Sequence, residues 1–338
     1  MGKYGLRLDD KSLPHMIERA KKAEAAGFEA LFAGELMGTP FVNCAAVASS
    51  TSQIKLGTSI AYAFVRSPMT TALTALDLDR LTNGRFILGL GVSLPRLIET
   101  WHNMPYGRPA PHVKECIQVI RQIMQTANLG KPIKFKGEYY DMNIVGWQRP
   151  WKPVREHIPI FLGAVREGMV RAAAESADGL LGHPVLTLKY YKEVVLPNIE
   201  KGLAKAGKNR KDFQIWPQVD VLITKNRKEA LDIARGTPVF YSTIKSYEPF
   251  FALHGFQKEA KQIQEIFRTE GWSRKMSAVV SDELAGTFVV IGTADEVREK
   301  IKEFEEFSDG VVLSSPTQAL PRAAAAPYED ALFEVFGR

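Results

Sequence analysis

Eight times along this chain a short apolar run is followed by an amphipathic segment, and no other feature limits the fold as much. Tyr4–Leu8 reads as a strand, and the segment from Leu13 to Ala26 as a helix closed by Gly27. Strand Ala30–Ala33 and a helix from Phe41 to Ser50 follow, then a strand from Ile54 to Ala61. Ser67-Pro68 opens the next helix, with Ser as N-cap and Pro at the first position. Asn83-Gly84 is a turn ahead of a strand from Phe86 to Leu90, and a helix is expected from Val113 to Gln125. After an interruption the rhythm resumes with strands from Ile158 to Leu162, Gly179 to Leu181 and Phe213 to Thr224. The helices between and after them run from Met169 to Glu175, Lys189 to Ala206 and Arg227 to Arg235. Thr293-Ala-Asp-Glu296 is a capping box, and a strand at Val311–Leu313 and a helix at Tyr328–Phe336 complete the count. Such alternation predicts a parallel sheet with crossover helices. Eight units in 338 residues predict a closed (β/α)8 TIM barrel, with an open doubly wound sheet as the rival that alternation alone does not exclude.

Two stretches break the pattern, about 126–157 and about 236–281. The first holds Tyr139, Tyr140, Trp147 and Trp151; the second holds Tyr241, Tyr247, Phe250, Phe251 and His254. Composition does not shift across either, so a single domain spanning 1–338 with two insertions is expected. Aromatic-rich insertions suit lids over a flat ligand or contacts between subunits, and a homodimer or higher homo-oligomer is expected.

Charge excludes several classes. The 44 Lys and Arg against 38 Asp and Glu leave a net charge of +6, and the basic residues are scattered. No aromatic interleaving accompanies them, so no nucleic-acid partner is expected. No apolar run approaches the roughly 18 residues of a membrane span. Met1-Gly2-Lys3-Tyr4 opens no signal-peptide core, so a cytoplasmic location is expected. Cys44 and Cys116 stand far apart and the six His form no His-x3-His pair, so no metal site is expected.

The run Phe86-Ile-Leu-Gly-Leu-Gly91 ends a strand on Gly89 and Gly91. The third glycine of a dinucleotide fingerprint is missing, because Leu94 stands there. The alternative is a barrel strand whose glycines admit a ligand or a neighbouring backbone.

An ordered set says more. Ile54-Lys-Leu-Gly-Thr-Ser-Ile60, Phe64-Val-Arg-Ser-Pro68, Leu81-Thr-Asn-Gly-Arg-Phe86, Leu88-Gly-Leu-Gly91, Ile158-Pro-Ile-Phe-Leu-Gly163, Glu175-Ser-Ala-Asp-Gly179 and Val290-Ile-Gly-Thr-Ala-Asp-Glu296 follow one another. This succession resembles the luciferase-like superfamily. Within it the chain is most similar to the reductases and dehydrogenases that use the deazaflavin coenzyme F420, methylenetetrahydromethanopterin reductase among them. The resemblance implies an α/β luciferase-like (β/α)8 TIM barrel with the cofactor at the C-terminal ends of the strands. It implies a bulged third strand with a non-proline cis peptide at Ser59-Ile60, behind the deazaflavin ring. It assigns Gly163, Ala164 and Val165 to the phosphate-bearing tail of the cofactor, and Gly91 and His183 to further cofactor contacts. Glu35, at the end of the second strand in Phe32-Ala-Gly-Glu35, is the candidate general acid/base. Leu36 follows it where relatives often carry His, so a His relay is not expected there.

Arg7, at the end of the first strand, suits an anionic substrate or pairs with Asp9 or Glu35. Arg66 is expected to pair with a carboxylate near Asp77 or Asp79. Trp101 and His102 are placed near the mouth of the site.

The implied activity is hydride transfer between F420 and a small organic substrate. An FMN-dependent monooxygenase of the same superfamily is one alternative, and a cofactor-binding barrel without turnover is the other.

Overall fold

Parallel strands that follow one another through helices dominate the computed structural model, which describes residues 2–8 and 12–338. The strands are β1 (Tyr4–Leu8), β2 (Ala30–Ala33), β3 (Lys55–Thr58), β4 (Ala61–Tyr62), β5 (Phe86–Gly91), β6 (Ile133–Lys136) and β7 (Asp141–Ile144). Then come β8 (Ile160–Gly163), β9 (Gly179–Leu181), β10 (Gln214–Trp216), β11 (Gln218–Ile223), β12 (Val290–Gly292) and β13 (Val311–Ser314). The chain packs as two units.

The larger unit comprises residues 5–182 and 195–216. It is a curled parallel sheet in the order β10-β9-β8-β5-β3-β2-β1, with β4 added to β5. Its strands read as continuous apolar runs because both faces are covered, which is the pattern of parallel sheets. Phe32 and Trp216 meet edge to face at 5.8 Å on one side of the sheet. Gly57 makes room for them, since a Cβ there would stand 2.8 Å from the Phe32 ring. The helices carry the caps that the sequence predicts: Ser67 Oγ accepts from the N–H of Thr70 at 3.1 Å, and Asn83 and Gly84 both have positive φ.

The smaller unit comprises residues 2–4, 183–194 and 217–338. Its strands β13, β11 and β12 lie parallel in that order. The expected strand from Phe213 to Thr224 is two strands separated by Pro217, which has no N–H to give a ladder. The expected helix from Lys189 to Ala206 is likewise interrupted, with a π-helical turn at Tyr191–Val195 ahead of Pro197. The Thr293/Glu296 capping box is present in full.

The first insertion holds the antiparallel hairpin β6–β7. Glu115, on the helix Pro109–Thr126, anchors it by accepting the N–H groups of Glu138, Tyr139 and Tyr140. The second insertion is helical, with segments Gly236–Ser242, Glu248–Leu253, Gln257–Glu270 and Arg274–Val279. No described helix is long and apolar enough to cross a membrane.

Candidate functional site

In the larger unit the strands run out at Leu8, Ala33, Thr58, Gly91 and Gly163, and the expected site residues gather just beyond. Glu35 follows β2. Its side chain is 7% exposed and both of its oxygens are engaged. Oε1 accepts from Arg66 Nη2; Oε2 accepts from Arg66 Nη1 at 3.0 Å and from the Tyr62 N–H at 2.6 Å. This two-pronged pairing ties the end of β2 to β4 and to the loop before the helix Pro68–Leu81. It corrects the expectation for Arg66: Asp77 pairs instead with Arg149 and Asp79 with Arg155. It also answers part of the expectation for Arg7, because Glu35 is held by other groups; Asp9 lies outside the described residues.

The Ser59-Ile60 peptide is cis. The backbone leaves β3 through it and resumes as β4, so the Ile60 side chain comes to lie against the ends of β5 and β8. A Cβ on Gly91 would overlap Ile60 Cδ1, and one on Gly163 would stand 2.6 Å from Ile60 Cγ2. A Cβ on Gly89 would overlap the carbonyl oxygen of Thr58. The Thr58 hydroxyl completes that close approach by donating to the Gly89 carbonyl at 2.6 Å and accepting from its N–H at 2.9 Å. The glycines therefore serve a neighbouring segment, the alternative that the sequence left open. They seat Ile60 as an apolar ledge, two residues before the Tyr62 N–H that Glu35 holds.

Tyr62 packs edge-on to His102 at 6.0 Å. Burial, with a smaller contribution from the Glu35 charge, pushes its phenol above the ordinary tyrosine range. The loop after β8 passes through Gly163, Ala164 and Val165 into the helix Glu167–Ser176, where exposed Arg166 is the N-cap. The Ala164 N–H is directed to the Leu181 carbonyl at 3.4 Å.

His183 belongs to the smaller unit. Its Nδ1 accepts from the Val185 N–H at 3.3 Å, so Nε2 carries the proton and faces the Tyr247 hydroxyl at 3.3 Å. Tyr241 packs edge-on to the same ring at 5.0 Å. Three aromatic residues expected in the second insertion thus surround His183 or one another, since Tyr247 also meets Phe250.

One cluster carried no sequence signal. The His112 ring is stacked between Phe64 at 3.8 Å and Tyr139 at 4.2 Å. Its Nδ1 faces the Tyr106 carbonyl at 2.8 Å and its Nε2 the Tyr140 hydroxyl at 3.1 Å. Burial holds its pKa below the usual histidine value. The Tyr106 hydroxyl donates in turn to the Ser93 carbonyl at 3.1 Å. This links the first insertion to Ser93.

Ile60 offers an apolar surface, Glu35 and Arg66 a fixed polar pair, and the helix start at Arg166 a cation and backbone N–H groups able to meet an anion.

The family model for luciferase-like monooxygenase matches residues 3–309. A Mycobacterium tuberculosis protein provisionally named a coenzyme F420-dependent oxidoreductase is 29% identical over 306 residues, covering 85% of this chain and 86% of the relative. The 5,10-methylenetetrahydromethanopterin reductase of Archaeoglobus fulgidus is 31% identical over 283 residues, covering 80% and 79%. The solved coenzyme F420-dependent tetrahydromethanopterin reductase of Methanopyrus kandleri shares the fold, with a TM-score of 0.82, 22% identity and coverage of 99% and 98%. The chain belongs to the luciferase-like monooxygenase family.

Proposed function

We propose that this chain is an F420-dependent oxidoreductase, moving a hydride between the deazaflavin and a small organic substrate. The observation that carries the reading is the Ile60 ledge, seated on Gly91 and Gly163, with Glu35 holding the Tyr62 N–H two residues further on. Relatives named as F420-dependent or as methylenetetrahydromethanopterin reductases support it. When bound, the deazaflavin supplies the hydride chemistry; the protein supplies position and electrostatics. In this reading Ser59 and Ile60 hold one face of the ring, Gly91 and Gly163 seat that ledge, and Gly163–Val165 with Arg166 receive the acidic tail. Glu35, with both oxygens held by Arg66 and the Tyr62 N–H, acts in this reading as a fixed hydrogen-bond acceptor that positions its neighbours.

The eight expected units closing as a single (β/α)8 barrel domain, assembly as a homo-oligomer and a cytoplasmic location belong to the same proposal. The family description itself favours a second reading, an FMN-dependent monooxygenase. Fluorescence titration of the purified protein with F420 and with FMN separates the two. The proposal expects saturable F420 binding, tighter than FMN by at least about tenfold. The reverse order supports the monooxygenase, and binding of neither refutes both.

A further inference from the structure

We propose that Arg7 is an anion-recognition residue that selects substrates bearing a carboxylate. It occupies the C-terminal half of β1, two residues beyond Gly5. Alternation along a strand puts Arg7 and Gly5 on one face. That face meets Phe32 and Trp216, since a Cβ on Gly5 would stand 3.4 Å from each ring. Arg7 is half-buried there, and among the described residues it makes no ion pair. Glu35, the acid at the end of the neighbouring strand β2, has both oxygens held by Arg66 and the Tyr62 N–H.

A partly buried guanidinium without a counter-charge is unfavourable, and a ligand carboxylate relieves it with two parallel hydrogen bonds. The position is the right one for a substrate. A Cβ added to Gly34 would stand 3.2 Å from Arg7 Nη2 and 3.4 Å from the Ser59 carbonyl oxygen. Arg7 Nη2 and the Ser59 carbonyl oxygen therefore both border the space in front of Gly34. A carboxylate held by Arg7 would sit in the space before Gly34, at the edge of the Ser59-Ile60 segment, leaving the Ile60 ledge to the ring. Gly34 keeps that approach open. The part played in turnover rests on the proposed function; the binding preference does not.

The test uses cofactor-free protein and calorimetric titration with crotonate, cinnamate and benzoate, each against its primary amide. The wild type is expected to bind at least one acid about tenfold more tightly than its amide. Arg7→Gln should abolish that preference, Arg7→Lys should retain part of it, because the charge stays and the planar fork is lost, and Gly34→Ala should weaken it. Circular dichroism and thermal melts confirm that each variant is folded. The proposal is overturned if the wild type fails to discriminate in every pair, or if folded Arg7→Gln discriminates as the wild type does. F420 titration of the same samples is read separately. Loss of F420 binding with the acid preference intact would refute the cofactor reading and leave Arg7 standing.

Discussion

Replacing Glu35 by Gln keeps the size of the side chain and removes its charge. The carboxylate accepts three hydrogen bonds, two from Arg66 and one from the Tyr62 N–H. An amide has one accepting oxygen, and its NH2 group would face a donor. Hydrogen bonds to charged groups contribute roughly 1.5–3 kcal/mol each. Breaking a fully buried ion pair costs about 3–5 kcal/mol. Glu35 is 7% exposed but Arg66 is 21% exposed, so water recovers part of the guanidinium. The expected loss is therefore lower, about 2–3 kcal/mol. Equilibrium urea unfolding of Glu35→Gln, Arg66→Met and the double variant measures it, and the cycle should return a coupling of at least about 1 kcal/mol. A loss under about 0.5 kcal/mol with no coupling would refute the idea that this pair fastens β2 to β4. If that stable variant also lost all F420-linked turnover, Glu35 would be acting on substrate instead.

Three further outcomes are expected. Gly91→Ala should lower stability by about 1–3 kcal/mol through overlap with Ile60, and Ile60→Val in the same chain should return part of it; urea midpoints decide. Burial depresses the pKa of His112, and burial followed by the Lys189 charge depresses that of His254. The unfolded chain therefore takes up these protons first: their contribution is whole above about pH 6.5 and falls away as pH drops through the folded values. Stability measured across that range should fall toward acid, less steeply in His112→Phe; an unchanged slope would contradict the assignment. Burial pushes the Cys44 and Cys116 thiols up to about 12, so neither should react with an aromatic disulfide reagent near neutral pH until the protein is unfolded.

The strands were legible where one physical signal dominated. Tyr4–Leu8, Ala30–Ala33 and Gly179–Leu181 are bounded as expected because each is a short apolar run between a turn or cap on either side. Local signals missed non-local causes. Pro217 divides one apolar run into two strands with different partners. Arg66 was assigned to carboxylates near it in sequence, but the return of the chain through β4 brings it to Glu35, 31 positions away. The glycines at 89, 91 and 163 signalled a close approach without naming what approaches. Thr58 and Ile60 do so only because the backbone turns at Ser59-Ile60, which the family resemblance, not the composition of the strand, pointed to. His112 carried no pattern at all, since its stack joins three separate segments.

The most direct measurement is a crystal structure of the protein grown with F420. The account predicts the tricyclic ring lying on Ser59-Ile60, with its phosphate at Gly163–Val165. A ring bound away from that peptide, or a phosphate held by other segments, would contradict it.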